Sequence, residues 1–336
     1  MNILITGGAG YIGSCTTFKI IQKYNAKCII IDKQETSNLE KLKLNYPKNI
    51  EFYKIDMCNY TDFNELFEHL NTKSLRIDSV IHFAAYTIVS ESEKEIHKYL
   101  HNNITSTLNL LDLMNKYEIN NLIFSSSASV YGQAKYIPID ENHPLNPQSS
   151  YALSKKISED IISKYSQKGL NFINLRYFNP AGTIGHLGEE HNPETHLIPL
   201  LIKSLIEGKI FKIFGNDFPT PDGTCIRDFI HIEDLVESHL LCMEKLLNEE
   251  IENETFNIGI NKGYSVLEVV NKSMEIFNKK IHHKFRYTID NRREGDVPIL
   301  VAQAEKIKNK LGFQPKYKLE DILLSVWNYE IQKISL

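Results

Sequence analysis

The chain has no long apolar run, a single tryptophan, and five cysteines that never fall close together. A bilayer-spanning helix needs about 20 predominantly apolar residues. No stretch supplies them, so a membrane-spanning role is not expected. Cys15, Cys28, Cys58, Cys225 and Cys242 are odd in number and form no C-x-x-C pair. That pattern argues against a disulfide frame or a thiolate zinc site and for reduced thiols. Net charge is only −4 over 336 residues, so nothing draws the chain generally to nucleic acid or to an anionic membrane. No basic-then-apolar segment precedes the first strand, which reads directly from Met1; the expectation is a cytoplasmic chain. Internal repeats and low-complexity linkers are also missing. What remains is an ordinary globular composition, 42% hydrophobic and 24% charged, with length for one large or two closely packed domains.

Strand and helix patterns alternate through the first half. Apolar runs at Asn2–Thr6, Cys28–Asp32, Ile50–Ile55, Ser79–Phe83, Asn121–Ser125 and Asn171–Arg176 read as strands. Helical patterns cover Tyr11–Tyr24, Tyr60–Leu70, Ile96–Glu118 and Tyr151–Lys168. Such alternation predicts βαβ units, and runs without polar alternation predict parallel strands buried on both faces. The expected fold is therefore α/β, a doubly wound parallel sheet. From Pro180 to Pro199 the rhythm breaks into a stretch rich in Gly, His, Pro and Glu, which reads as a long loop. A smaller α/β region is expected from 180 to 336, after a nucleotide-binding region of 1–179 that recruits later segments near 225–260.

The first glycines, Gly7, Gly10 and Gly13, form G-x-x-G-x-x-G directly after a strand and at the start of a helix. Such glycines let backbone N–H groups approach a pyrophosphate at a helix N-terminus. Asp32 ends the second strand, 19 residues after Gly13. A carboxylate there suits the ribose hydroxyls of NAD and repels the extra phosphate of NADP. Asp56 and Met57 follow the next strand and either hold the adenine edge or start the helix behind them. Phe83, Ala84 and Ala85 end the following strand, where small residues let a cofactor cross the sheet edge or let a helix pack closely.

Tyr151 and Lys155 stand four apart on one helical face. An ammonium near a phenol favours phenolate and lowers a pKa that rests near ~10. A phenol so tuned exchanges protons with an alcohol.

Gly7 to Gly13, Phe83 to Ala85, Phe124 to Gly132 (FSSSASVYG) and the Tyr151/Lys155 pair together resemble the extended short-chain dehydrogenase/reductase superfamily, with its NAD-binding Rossmann sheet. Within it the chain is similar to the UDP-glucose (UDP-galactose) 4-epimerases. Leu175 to Gly182 (LRYFNPAG), Phe214 to His231 (FGNDFPTPDGTCIRDFIH) and Arg292 to Pro298 (RREGDVP) match that family's sugar strand, nucleotide stretch and late basic turn. The resemblance runs over nearly the whole chain, and the last two motifs are far more specific than the glycines.

The resemblance implies an isomerase of galactose metabolism that holds NAD tightly, oxidises the sugar at C4 and reduces the 4-keto sugar on its other face. Ser127, Tyr151 and Lys155 would be its catalytic set. Gly7, Gly10, Tyr11, Ile12, Gly13, Asp32, Asp56, Met57, Phe83, Ala84, Ala85, Asn102 and Ser125 would surround NAD together with Tyr151, Lys155, Tyr177 and Phe178. Asn179, His196, Leu197, Phe214, Arg227, Arg293, Asp296 and Leu300 would hold the UDP-sugar beside Ser127 and Tyr151, the two guanidiniums clamping the diphosphate. Ile96–Glu118 and Tyr151–Lys168 would pack a homodimer or be buried within one chain. No metal is expected: His186, His191 and His196 match no usual ligand spacing.

Three positions depart from the commonest form of the family. Thr87 stands where many members have lysine, and His196 replaces a frequent asparagine. Leu300 falls where a bulky tyrosine tends to restrict the sugar 2-substituent. A leucine there either leaves room for the N-acetyl group of UDP-GlcNAc and UDP-GalNAc or simply packs the wall. Dehydration is disfavoured, because Ala128 and Ser129 follow Ser127 where a dehydratase needs an acid–base pair. The alternatives are 4-epimerisation of a UDP-pentose or UDP-uronic acid, and a non-catalytic NAD-sensing regulator, for which an intact Ser127, Tyr151 and Lys155 would have no use.

Overall fold

The computed structural model describes every residue except Asn192, Glu294 and Leu336, and only the backbone of Ser335. Glu294 of the late basic turn therefore lies outside the described residues. In chain order the elements are β1 (Asn2–Thr6), α1 (Tyr11–Tyr24), β2 (Lys27–Asp32), α2 (Ser37–Asn45), β3 (Ile50–Lys54), α3 (Tyr60–Thr72), β4 (Ser79–His82), α4 (Val89–Ser92), α5 (Ile96–Lys116), β5 (Asn121–Ser127), α6 (Ser150–Tyr165) and β6 (Asn171–Tyr177). Then come β7 (Asn179–Ala181), α7 (Leu197–Glu207), β8 (Phe211–Phe214), β9 (Ile226–His231), α8 (Ile232–Leu247) and β10 (Glu254–Ile258). The chain closes with β11 (Gly263–Ser265), α9 (Val266–Phe277), β12 (Tyr287–Asp290), β13 (Ile299–Leu300), α10 (Glu305–Leu311) and α11 (Leu319–Ser335).

Contacts divide the chain into two compact units, each discontinuous in sequence. One comprises Met1–Val130, Pro147–Arg176 and Val236–Phe256; the other Tyr131–Asn146, Tyr177–Leu235 and Asn257–Leu336. Among the described residues no helix is long and apolar enough to cross a membrane.

The first unit is built on a seven-stranded sheet of order β10-β6-β5-β4-β1-β2-β3. The β1–β2, β1–β4, β2–β3 and β4–β5 pairs are parallel. This is the doubly wound order, in which the strand sequence reverses between β1 and β4 and opens a ligand crevice at their carboxyl ends. Leu4, Ile29, Val80 and Leu122 from the strands pack with Phe63, Phe67, Leu110 and Met114 from α3 and α5. Burying each such side chain contributes roughly 1.5–3 kcal/mol. β3 differs from the expected two-sided burial: it is the edge strand and stays only half-buried.

α2 was not evident in the sequence. Its composition is polar, and only Asn38, Leu39 and Leu42 are buried; Thr36 caps it by accepting the Leu39 N–H at 3.2 Å. The loop read from 180 to 199 is also shorter than expected. β7 takes its first residues, and α7 begins at Leu197. Pro199 lies in the first turn of α7, where its missing N–H has no intrahelical acceptor to lose.

In the second unit β9 is the hub, pairing with β11, β13 and β7, while β8 and β12 form a separate two-stranded sheet. Its core gathers Leu201 and Ile202 of α7, Val269 and Phe277 of α9, and Leu323 and Trp327 of α11. The lone tryptophan stacks on Phe277 at 4.3 Å between ring centroids.

Candidate active site

In the first unit the chain turns sharply from β1 into α1. Gly7 has φ +69°, and a Cβ on it would lie 2.6 Å from the Ala84 backbone nitrogen. A Cβ on Gly13 would lie 2.3 Å from the Gly7 carbonyl oxygen. Gly10 caps α1 and makes no side-chain cap hydrogen bond. This is a cradle for an anion at a helix N-terminus, and any Cβ would fill it. Gly13→Ala is therefore expected to weaken NAD retention by at least about tenfold, the equivalent of ~1.4 kcal/mol of strain. NAD released on denaturing the purified variant measures this; wild-type content would refute it.

Asp32 lies at the end of β2 and accepts the Ala9 and Gln34 N–H groups, each at 3.2 Å. Burial raises its pKa against these hydrogen bonds and Lys33. Beside it, Lys33 ties together two residues singled out from the sequence. Its ammonium is 2.9 Å from the Asp56 carboxylate and donates to the Asn102 side chain at 2.8 Å. Asp56 also accepts the Cys58 N–H at 2.9 Å, whereas the cap of α3 is Asn59, so Asp56 does not start that helix. Met57 is buried. Lys33 itself was missed: lysine next to a strand end reads as surface until the fold brings Asn102 to it. At the end of β4, Phe83 packs on His239 with centroids 5.1 Å apart.

Ser149 caps α6, accepting the Ala152 N–H at 3.1 Å, and this sets Tyr151 and Lys155 one turn apart at the start of the helix. Ser127 ends β5; its hydroxyl accepts from the Ser129 N–H at 3.2 Å and hydroxyl at 2.9 Å, and it acts to lower the Tyr151 pKa. Lys155 is buried, donates to the Ser125 carbonyl at 2.6 Å and lies 4.9 Å from the centre of the Phe124 ring. The electrostatics differ from the simple expectation. Burial raises the Tyr151 pKa, and the opposing influence is Ser127 rather than Lys155. Lys155 is itself pushed down to about 7 by burial, with Glu159 working the other way. An ammonium that is costly to keep charged, and is committed to a carbonyl, does little to stabilise a phenolate.

In the second unit the sequence candidates fall into linked groups. The Arg227 guanidinium lies 3.4 Å from Asp296, and Leu300 pairs with Arg227 in the β9–β13 register. The Arg293 guanidinium carbon lies over the Phe214 ring, 4.0 Å from its centre, and the side chain donates to the Thr195 carbonyl at 3.1 Å. His196 and Leu197 follow directly, at the start of α7. The His196 Nδ1 is 2.6 Å from Glu189 and 3.1 Å from Glu194. Burial opposes its charge, but the two carboxylates outweigh it and raise its pKa. Asn179 opens β7 with its side-chain oxygen buried and without a hydrogen-bond partner among the described residues, as a ligand-facing acceptor would be. Tyr177 and Phe178 are both buried.

Comparison with known proteins places the chain among relatives matched over nearly its whole length. The model of the GDP-mannose 4,6 dehydratase family matches residues 4–326. A UDP-glucose 4-epimerase of Lactobacillus helveticus is 38% identical over 98% of this chain and 97% of its own. Among solved structures, the UDP-glucose 4-epimerase of Bifidobacterium longum in complex with NAD+ and UDP superposes with TM-score 0.90 at 32% identity, covering 99% of each chain. The UDP-Glc/GlcNAc 4-epimerase of Campylobacter jejuni gives TM-score 0.81 at 34% identity, covering 98% of this chain and 99% of that one. With whole-length relatives of this kind and a doubly wound sheet carrying the glycine turn and the Ser127, Tyr151 and Lys155 set, the chain belongs to the UDP-glucose 4-epimerase family.

Proposed function

We propose that this protein interconverts UDP-glucose and UDP-galactose by oxidation at C4 and reduction of the 4-keto sugar on its opposite face. The observation that carries this reading is Tyr151 one helical turn before the buried Lys155 at the start of α6, with Ser127 at the end of β5 acting on the phenol. When bound, NAD supplies a reversible hydride acceptor for C4. Gly7, Gly10, Tyr11, Ile12 and Gly13 would hold its diphosphate, Asp32 its ribose hydroxyls, and Asp56, Met57 and Asn102 with Lys33 its adenine side. Phe83, Ala84, Ala85, Ser125, Tyr177 and Phe178 would line its remainder.

Tyr151 takes the proton from the sugar 4-hydroxyl and returns it. Ser127 hydrogen-bonds the reacting oxygen. Lys155, which burial brings down to about 7, stands one helical turn after Tyr151 and would hold the nicotinamide ribose. Arg227 and Arg293 bind the UDP diphosphate, a role their planar guanidiniums suit. Asp296 and Phe214 already hold these two side chains in place. Asn179, His196 and Leu197 complete the sugar-nucleotide contacts. Although the matching family model is named for a dehydratase, Ser127 is followed by Ala128 and Ser129, neither of which can serve as the acid for loss of water. The free cysteines fit a cytoplasmic protein. Exposed Ile96, Leu108 and Leu153 on α5 and α6 support a homodimer through those helices.

Substrate range extends to UDP-GlcNAc and UDP-GalNAc through the small side chain of Leu300. Purified protein incubated with a panel of UDP-sugars and no added NAD tests both points. UDP-glucose and UDP-galactose are expected to interconvert, and UDP-GlcNAc to yield UDP-GalNAc. Turnover that depends on added NAD and accumulates NADH would overturn the epimerase reading. Absence of UDP-GalNAc would overturn only the wider range. Leu300→Tyr is expected to lower N-acetylhexosamine turnover by about 10–200-fold, the range set by pocket contacts of this size, while leaving UDP-glucose turnover nearly unchanged.

A further inference from the structure

The loop before α7 brings together Glu189, His191, Glu194 and His196, whose ligand-type atoms all lie within 4.8 Å of one another. None of the catalytic chemistry above uses Glu189, His191 or Glu194. Both imidazoles turn Nδ1 toward the same carboxylate oxygen of Glu189, His191 at 2.9 Å and His196 at 2.6 Å. Glu194 approaches His196 Nδ1 at 3.1 Å. The side chains of Glu189 and Glu194 are each only 7% exposed.

Two plain ion pairs would account for the histidines but not for Glu194. One of its oxygens accepts the N–H groups of Thr195 and His196 at 2.8 and 2.9 Å. The other is buried and has no partner among the described residues. A buried carboxylate oxygen normally finds a donor, so an orphan on a residue of this four-ligand cluster points to a missing cation. Charge agrees: two carboxylates with two neutral imidazoles carry −2, the complement of one divalent ion. Mixed imidazole and carboxylate donors suit zinc and its neighbours, and tetrahedral bonds of about 2.0–2.2 Å need only a small rearrangement of atoms this close.

We propose that Glu189, His191, Glu194 and His196 bind one divalent transition-metal ion of the zinc class. The ion is structural. It pins the residues entering α7, including the Thr195 carbonyl that receives Arg293. Binding displaces the protons shared between the histidines and Glu189 into solvent.

Full-length untagged protein, stripped with chelator and desalted, is titrated with Zn2+ alone and separately with Mg2+ alone. Bound metal is counted after gel filtration, and Co2+ is used as a spectroscopic stand-in. One zinc per chain is expected, no retained magnesium, and the intense visible absorption of four-coordinate cobalt. The double variant His191→Ala, Glu194→Gln is expected to bind zinc at least 100-fold more weakly, with an unchanged circular dichroism spectrum. Zinc-free wild-type protein, a preference for magnesium, or equal zinc in wild type and a folded double variant would each overturn the assignment. Should the variant fail to fold, the wild-type stoichiometry and cobalt spectrum still decide. A six-coordinate cobalt spectrum counts against the site.

Discussion

Tyr151→Phe is expected to reduce kcat for UDP-glucose and UDP-galactose interconversion by about 10²–10⁴-fold, the usual contribution of one positioned acid–base group, while NAD stays bound. Phenylalanine keeps the ring and removes only the hydroxyl to which the proposed function gives the proton exchange. The Ser149 cap of α6 and the Lys155 contact with the Ser125 carbonyl do not depend on that hydroxyl. Fold and cofactor content should therefore survive. Initial rates read with a coupled assay, alongside NAD content, separate the two effects. Activity within a few-fold of wild type would remove Tyr151 from its role. Loss of NAD together with activity would make the residue structural.

The largest stability effect is expected at Glu159. Its carboxylate accepts the Arg176 guanidinium at 3.0 and 2.6 Å and the Ser126 hydroxyl, and the Arg176 and Glu159 side chains are each only 7% exposed. Removing one partner leaves the other charge buried and uncompensated, so Glu159→Ala should cost about 3–5 kcal/mol in urea unfolding. On the same helix, the exposed Lys156–Asp160 pair provides the control. Asp160→Ala removes an i,i+4 surface contact and should cost no more than about 0.5 kcal/mol. A Glu159→Ala loss as small as that of a surface pair, below about 1 kcal/mol, would contradict the assigned role. Glu159 also opposes the downward shift of the Lys155 pKa. Its loss should move the limb of the pH–rate profile that reports Lys155 to lower pH, a change that instability alone would not produce.

Several features were legible in the residues because they depend on short-range geometry. The spacing of Gly7, Gly10 and Gly13 between a strand and a helix describes a turn whichever sheet surrounds it. The four-residue interval from Tyr151 to Lys155 places both on one helical face for the same reason. Most strand and helix bounds came within a few residues, since apolar runs and 3.6-residue periods are local signals. α2 escaped because a short polar helix that buries three side chains carries too little periodicity to stand out. Asp56 was read as helix-starting or adenine-facing, and its partner Lys33 emerged only when two strand ends were side by side. In the loop before α7 the histidines alone suggested no ligand pattern. The carboxylates between them become relevant because the fold brings ligand-type atoms of all four side chains within 4.8 Å of one another.

By itself the sequence determined an α/β nucleotide-binding fold, a dinucleotide-type glycine turn, a phenol and a lysine on one helical face, and, through its longer motifs, a sugar-nucleotide family. These follow from local spacing and residue chemistry. Only the tertiary structure decided how the groups titrate and whom they meet. The phenol pKa rises rather than falls, the lysine comes down to about 7, and Arg176 pairs with the buried Glu159 carboxylate. The physical reason is that desolvation and pairing depend on residues distant in sequence, which only the packed chain brings to the same place.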